Sequence, residues 1–187
     1  MAHLLIDEKI LFIHIPKNAG TSVSIFLKNL NFKKPMRIFR HPQIHHLYLD
    51  ELEDKININE KISFAIIRNP FDRLVSYYHY SKKKNRLAEY SSFKEFVLAF
   101  NNSNNRFKEP QLRYIKSNKN KINHILKFEN LENDLKILCD KINLPYTRIS
   151  HENKSNHKSY REYYDEETKK IVSEIYKEDI NEFKYKF

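Results

Sequence analysis

Three short apolar runs punctuate the chain, and each leads into a pattern of helical period. The runs are "ILFIHI" (residues 10–15), "ISFAII" (62–67) and "HILKF" (124–128). All are rich in β-branched residues and bounded by polar segments, which predicts strands buried on both faces. After the first, Val23, Phe26, Leu27 and Leu30 recur at i, i+3, i+4 and i+7. After the second, Asn69 and Pro70 supply an N-cap and a first-turn proline. Leu131, Leu135, Leu138 and Ile142 follow the third. Ser92 and Glu95 are spaced as a capping box ahead of Phe93, Phe96, Val97 and Phe100. Ile171, Val172, Ile175, Tyr176 and Ile180 mark a further helix, while "NNSNNRFKEP" and "KSNKNK" read as surface loops. Strand alternating with helix predicts an α/β fold with a mostly parallel central sheet flanked by helices. No repeat or linker divides the chain, so residues 1–187 are expected to form a single domain.

Composition sharpens this picture in two ways. An apolar fraction of 40% with 13 Phe and 12 Tyr argues for a packed globule rather than disorder. A formal net charge of +10 points to an anionic partner: nucleic acid, membrane surface, nucleotide or glycan. No apolar run approaches the ~20 residues of a membrane span. "MAHLLIDEK" reaches Asp7 and Glu8 too early for a signal peptide, so a cytoplasmic location is expected. A lone cysteine, Cys139, excludes an internal disulfide and a cysteine-based metal cluster. Its spacing with Leu135, Leu138 and Ile142 places it in the core.

The chain has one glycine, Gly20, within "HIPKNAGTS". A strand turning into a helix offers backbone N–H groups and the positive end of a dipole to an anion. Gly20 has no Cβ to block a phosphate oxygen and tolerates positive φ; Thr21 and Ser22 add hydroxyls and Lys17 adds charge. Physically this is a phosphate-binding loop. It is not the triphosphate loop G-x-x-x-x-G-K-[ST], because the first glycine is missing and the lysine lies upstream. A second motif, "FAIIRNPFDRLVSYYHY", carries an arginine off a strand end into a proline-started helix. Arg68 and Ser76 are thereby expected beside one bound anion.

These two motifs resemble those of sulfotransferases that use 3′-phosphoadenosine 5′-phosphosulfate (PAPS), in particular the carbohydrate (type 2) branch. "HIPKNAGTS" looks like the family's 5′-phosphosulfate loop and "IIRNPFDRLVSYY" like its 3′-phosphate segment. The likeness continues through "PQLRYI", "LKFENLENDL" and the C-terminal segment. The resemblance implies a P-loop-like sulfotransferase fold. It further implies that Lys17, Asn18, Ala19, Gly20, Thr21 and Ser22 hold the 5′ phosphosulfate and that Arg68 and Ser76 hold the 3′ phosphate. Asn18 departs from the family's usual threonine, though an amide also donates a hydrogen bond.

Sulfuryl transfer needs an in-line acceptor oxygen, a base for its proton, and positive charge at the leaving oxygen. Lys17 is assigned to the leaving oxygen. "RHPQIHHLYLDEL" offers His41, His45 and His46 as bases. The resemblance selects His46, which precedes a short helix ending in Glu-Leu, with His45 in reserve. The three histidines have no Cys or carboxylate pattern to complete a metal site, and Pro42 breaks their register, so no metal is expected. His14 reads as a core or strand-end histidine, and Asp72 and Arg73 as a cap and a structural ion pair. In the resembling enzymes the region of "NKSNHKSYREYY" closes over the nucleotide. Lys158, Tyr160 and Arg161 are then candidates for the 3′ phosphate or adenine, a solvated basic loop being the other reading. "SKKKNR" is an exposed helix end or a surface for an anionic glycan. The expected partners are PAPS and a hydroxyl acceptor, a glycan or glycoconjugate, with no nucleic acid. A kinase-like nucleotide enzyme lacks its triphosphate loop and an acidic pair for Mg²⁺. A basic nucleic-acid-binding module lacks an RNA-binding signature, and the aromatics recur at core spacings.

Overall fold

The computed structural model describes residues 3–6, 8–30, 37–39, 46–87, 89–149 and 158–187, with backbone alone for 3–6 and 37–39. His41 and His45 lie outside the described residues. In chain order the elements are β1 (His3–Ile6), β2 (Ile10–Ile13), α1 (Gly20–Lys28), β3 (Arg37–Phe39), α2 (Leu49–Glu53), β4 (Ile62–Ile67) and α3 (Pro70–Lys83). There follow α4 (Phe93–Asn101), α5 (Leu112–Ile115), β5 (His124–Lys127), α6 (Leu131–Lys141), α7 (Glu166–Ile175) and α8 (Lys177–Phe183). The chain gathers into two compact units, one from Met1–Arg68 with Arg113–Asn153 and one from Asn69–Leu112 with Lys154–Phe187.

The first unit is an α/β sheet in the order β3-β1-β2-β4-β5. Strands β2, β4 and β5 are parallel, Phe12 facing Phe64 and Phe64 facing His124. Strands β1 and β3 add an antiparallel side, with Ile6 paired to Ile10 across a tight hairpin that passes through Glu8 at φ 59°. Along a strand, alternate residues face opposite sides. Ile10, Phe12, Phe64, Ile66 and Leu126 share one core with Val23, Phe26 and Leu27 of α1 and Leu131, Leu135, Leu138 and Cys139 of α6. Leu11, Ile13, Ala65 and Ile67 are buried as well, so β2 and β4 are covered on both faces, as their unbroken apolar runs predict. Strand β5 departs from that expectation. Among the described residues it pairs only with β4 and stands at the sheet edge; Leu126 is buried while Ile125 is 37% exposed. Burying a side chain such as Phe26 stabilises by about 1.5–3 kcal/mol, and truncating it to Ala costs about 3–5.

The second unit is helical. Its core joins Phe71, Leu74, Val75 and Tyr78 of α3 to Phe93, Phe96, Val97 and Phe100 of α4, with Phe107 and with Val172 and Tyr176. Helix α3 starts as its sequence predicts: Asn69 Oδ1 accepts from Phe71 N at 3.1 Å, and Pro70 occupies the first turn, where its missing N–H costs nothing. At α4 only half of the expected box forms. Ser92 Oγ accepts from Glu95 N at 3.2 Å, but the Glu95 carboxylate accepts from Ser91 N and Oγ at 3.0 and 2.8 Å. The C-terminal pattern divides into α7 and α8 at Tyr176, whose hydroxyl donates to Phe107 O at 2.9 Å. Arg73 is structural and fully buried, with its guanidinium 4.0 Å over the Phe107 ring. Its charge faces Asp179, whose carboxylate accepts from Gln111 N and Leu112 N at 2.8 and 3.0 Å. Among the described residues, no helix is long and apolar enough to cross a membrane.

Candidate active site

The two middle parallel strands of the first unit release their chain at the same end of the sheet, where open α/β sheets bind ligands. Strand β2 runs into His14, Ile15 and the loop from Pro16 to Ala19; β4 runs into Arg68. Two hydrogen bonds tie these exits together. Asn18 Nδ2 donates to Ile66 O at 2.7 Å, and an Arg68 guanidinium nitrogen donates to Lys17 O at 3.0 Å. Arg68 is itself held with its guanidinium carbon 4.0 Å from the centre of the Phe128 ring, just after β5. The sequence reading gives Arg68 to a phosphate; in this unit it also donates to the loop backbone.

The loop takes left-handed backbone at Lys17 (φ 70°) and Ala19 (φ 56°, ψ 17°) before α1 begins at Gly20. Left-handed residues next to right-handed ones turn successive N–H groups inward, the geometry of an anion nest. The first helical bond runs from Val23 N to Ala19 O at 3.1 Å, so the N–H groups of Gly20 and Thr21 precede the ladder. Ser24 Oγ donates back to Gly20 O at 2.6 Å and fastens this first turn. No acidic residue occupies the first turn of α1, which leaves the positive end of its dipole to an external anion. Thr21 and Ser22 sit in the same turn, Thr21 half-buried and Ser22 buried.

Gly20 is required here for a reason the sequence did not reveal. Its φ is not positive; the left-handed positions are Lys17 and Ala19. A Cβ on Gly20 would instead fall within the His14 imidazole, on Cδ2 and Nε2. The one glycine therefore makes room for a histidine ring. His14, read from sequence as a core or strand-end residue, is buried directly after β2 and stacks on Phe12 at 5.9 Å.

His14 also meets His46. The rings cross edge to face, 4.6 Å between centroids and 88° between planes, and His46 Nδ1 lies 2.9 Å from His14 O. A carbonyl oxygen only accepts, so Nδ1 carries the hydrogen of that bond, and Nε2 is the nitrogen that takes up a proton. His46 leads into α2, whose start is fastened by Tyr48 N donating to Glu51 Oε2 at 2.7 Å.

The Lys17 side chain is half-buried, and its ammonium pKa is lowered to about 8, first by burial and then by the charge of Arg68. A partly buried cation beside another cation is relieved by an anion, and the nest, the dipole and Lys17 share that preference. Among the described residues no group of three or more His, Cys, Asp or Glu is arranged to hold a metal ion.

The remaining sequence-predicted residues belong to the second unit. Ser76 is buried on α3. Tyr160 is half-buried, crosses the Phe187 ring at 5.6 Å and accepts from Asn69 Nδ2 at 3.3 Å. Arg161 is exposed, its guanidinium 4.8 Å over the Tyr160 ring. Lys158 is exposed and pairs with Glu162 at 3.8 Å. Lys82, Lys83, Lys84 and Arg86 are exposed at the end of α3. The first unit thus unites Lys17, Asn18, Ala19, Gly20, Thr21, Ser22, Arg68 and His46, and it adds His14 and Phe128 to them. A histidine at the strand end six residues ahead of the sole glycine was the available signal for His14.

Residues 4–186 match the family model described as "Sulfotransferase family", of the type 2 branch that the two motifs resemble. The match covers nearly the whole chain and runs through both units; the chain belongs to the sulfotransferase family. No curated protein and no solved structure matches it.

Proposed function

We propose that this member of the family moves a sulfuryl group from PAPS to a hydroxyl of a carbohydrate acceptor, with Lys17 and His46 as its catalytic residues. The observation that carries this reading is the pairing, in one unit, of a nest-shaped loop bearing Lys17 with a histidine whose Nδ1–H is committed to the His14 carbonyl. The loop N–H groups and the start of α1 suit the 5′ phosphosulfate, with Thr21 and Ser22 adding hydroxyl donors.

Sulfuryl transfer then divides among these residues as follows. His46 Nε2 accepts the acceptor's hydroxyl proton while that oxygen bonds to sulfur. The bond from sulfur to the bridging phosphate oxygen breaks, and the oxygen keeps the electron pair. Lys17 places its ammonium where that negative charge develops, which favours the transition state over the ground state. Asn18 and Arg68 keep the loop in shape for this through their bonds to Ile66 O and Lys17 O.

The test is transfer of labelled sulfate from PAPS to a panel of saccharides. Wild-type protein should label at least one, and His46→Ala should lower turnover by about 10²–10⁴-fold while still binding adenosine 3′,5′-bisphosphate. Undiminished turnover in His46→Ala would remove the histidine from its role.

A further inference from the structure

We propose that His14 is a positioning residue that couples the donor loop to the base, so that the shape of one sets the orientation of the other. The proposal rests on the sulfotransferase reading above for the meaning of the two ends. The coupling itself rests on contacts alone. The His14 ring lies against Gly20, the first residue of α1, at a distance that leaves no space for a single added carbon. The same ring meets His46 edge to face at 4.6 Å, and the carbonyl of the same residue receives His46 Nδ1 at 2.9 Å. One buried side chain is therefore in contact with both halves of the chemistry. Stacking on Phe12, in the core of the sheet, keeps it from swinging aside.

Closely packed interiors pass a displacement on rather than absorb it. A carbon added at residue 20 has to push the His14 ring, and the same ring is in edge-to-face contact with His46. Gly20→Ala should thus disturb the base through a residue that belongs to neither the loop nor the base. Removing the ring with His14→Ala should make the added methyl tolerable again. Mere proximity of three structural residues predicts no such rescue; a shared, sterically coupled ring does, and it shows as a non-additive double-mutant cycle.

The experiment compares wild type, Gly20→Ala, His14→Ala and the double variant in two assays. One is calorimetric binding of adenosine 3′,5′-bisphosphate; the other is the ¹⁵N spectrum of the imidazoles, which distinguishes Nδ1–H from Nε2–H in His46 without any turnover. Wild type should show His46 as the Nδ1–H form. Gly20→Ala should weaken bisphosphate binding at least tenfold and shift the His46 signals. The double variant should recover affinity to within about threefold of His14→Ala, and in both proteins lacking the ring the His46 signals should move from their wild-type positions, while the main-chain carbonyl that alanine retains keeps the Nδ1–H form. If Gly20→Ala does not fold, recovery of the fold in the double variant shows the clash with the ring, and His46 signals left unchanged by His14→Ala would then overturn the coupling. The proposal is overturned if the double variant is no better than Gly20→Ala, or if Gly20→Ala leaves the His46 signals in place. Failure of wild type to bind the bisphosphate would instead count against the donor reading, while the spectra would still decide the coupling.

Discussion

Arg68 donates to the main-chain oxygen of Lys17 at 3.0 Å, so the arginine that follows β4 holds the lysine's loop and adds its charge to burial, the larger cause, in lowering the lysine's pKa. The two effects are separable. Arg68→Gln keeps a donor in reach of the carbonyl but removes the charge. It should raise the Lys17 pKa above about 8, readable as a shift to higher pH of the alkaline fall in bisphosphate affinity. Arg68→Ala loses the clamp as well and should weaken binding at every pH.

In the wild-type protein that affinity should decline as pH rises through about 8, because Lys17 sheds the charge that attracts the anion. The stability of the free protein moves the other way. A lysine whose folded pKa is below its unfolded value of 10.5 binds fewer protons when folded, so stability rises between about pH 8 and 10.5. The strain present below pH 8 is of the order of 3 kcal/mol. Denaturant titrations at pH 7 and pH 10 with Lys17→Met as the reference should show the difference shrinking at the higher pH.

Asn18→Asp is predicted to be worse than Asn18→Ala. The amide donates to Ile66 O at 2.7 Å in a buried position, and a carboxylate there would face a carbonyl oxygen beside an anion site. A loss of about 1–3 kcal/mol is expected for removing the bond, with a further loss of bisphosphate affinity for Asp alone, measured by denaturation and calorimetry.

Asp179 anchors the second unit. Burial pushes its carboxyl pKa up, against the opposing pull of Arg73 and the N–H groups of Gln111 and Leu112. Asp179→Ala removes the carboxylate that the charge of the fully buried Arg73 faces and should cost about 3–5 kcal/mol in chemical denaturation. Asp179→Asn keeps an acceptor for the backbone and should cost less.

Cys139 should resist alkylation in the native protein. Its thiol is buried in the sheet core and its pKa is pushed up to about 11, chiefly by burial and then by Asp140. Iodoacetamide at pH 8 should label it only once denaturant opens the first unit; fast native labelling would contradict this packing.

Periodicity made β2, β4 and the helices after them readable, because continuous β-branched runs and i, i+3, i+4 spacing arise from burial itself. The hairpin of β1 and β2 was not read. Its turn contains no glycine or Asn-Gly signal; Glu8 takes the left-handed backbone instead. The same economy recurs where Asn85, Asn143 and Lys184 leave α3, α6 and α8 at positive φ in a chain with one glycine. The loop residues Lys17 to Ser22 were legible by type and spacing. The reason for Gly20 was not, because the ring that fills its space belongs to a residue that by itself looks like core. Strand β5 looked like its neighbours because pattern alone does not tell an edge from a centre.

The most direct test of a donor site at the Lys17–Ser22 loop is thermal unfolding with adenosine 3′,5′-bisphosphate and, separately, with ATP. A ligand at 100 times its dissociation constant adds about 2.7 kcal/mol to the folded state. The account predicts a clear rise in midpoint with the bisphosphate, absent in Lys17→Ala and small with ATP. No rise at millimolar bisphosphate, or an equal rise with ATP, would contradict it.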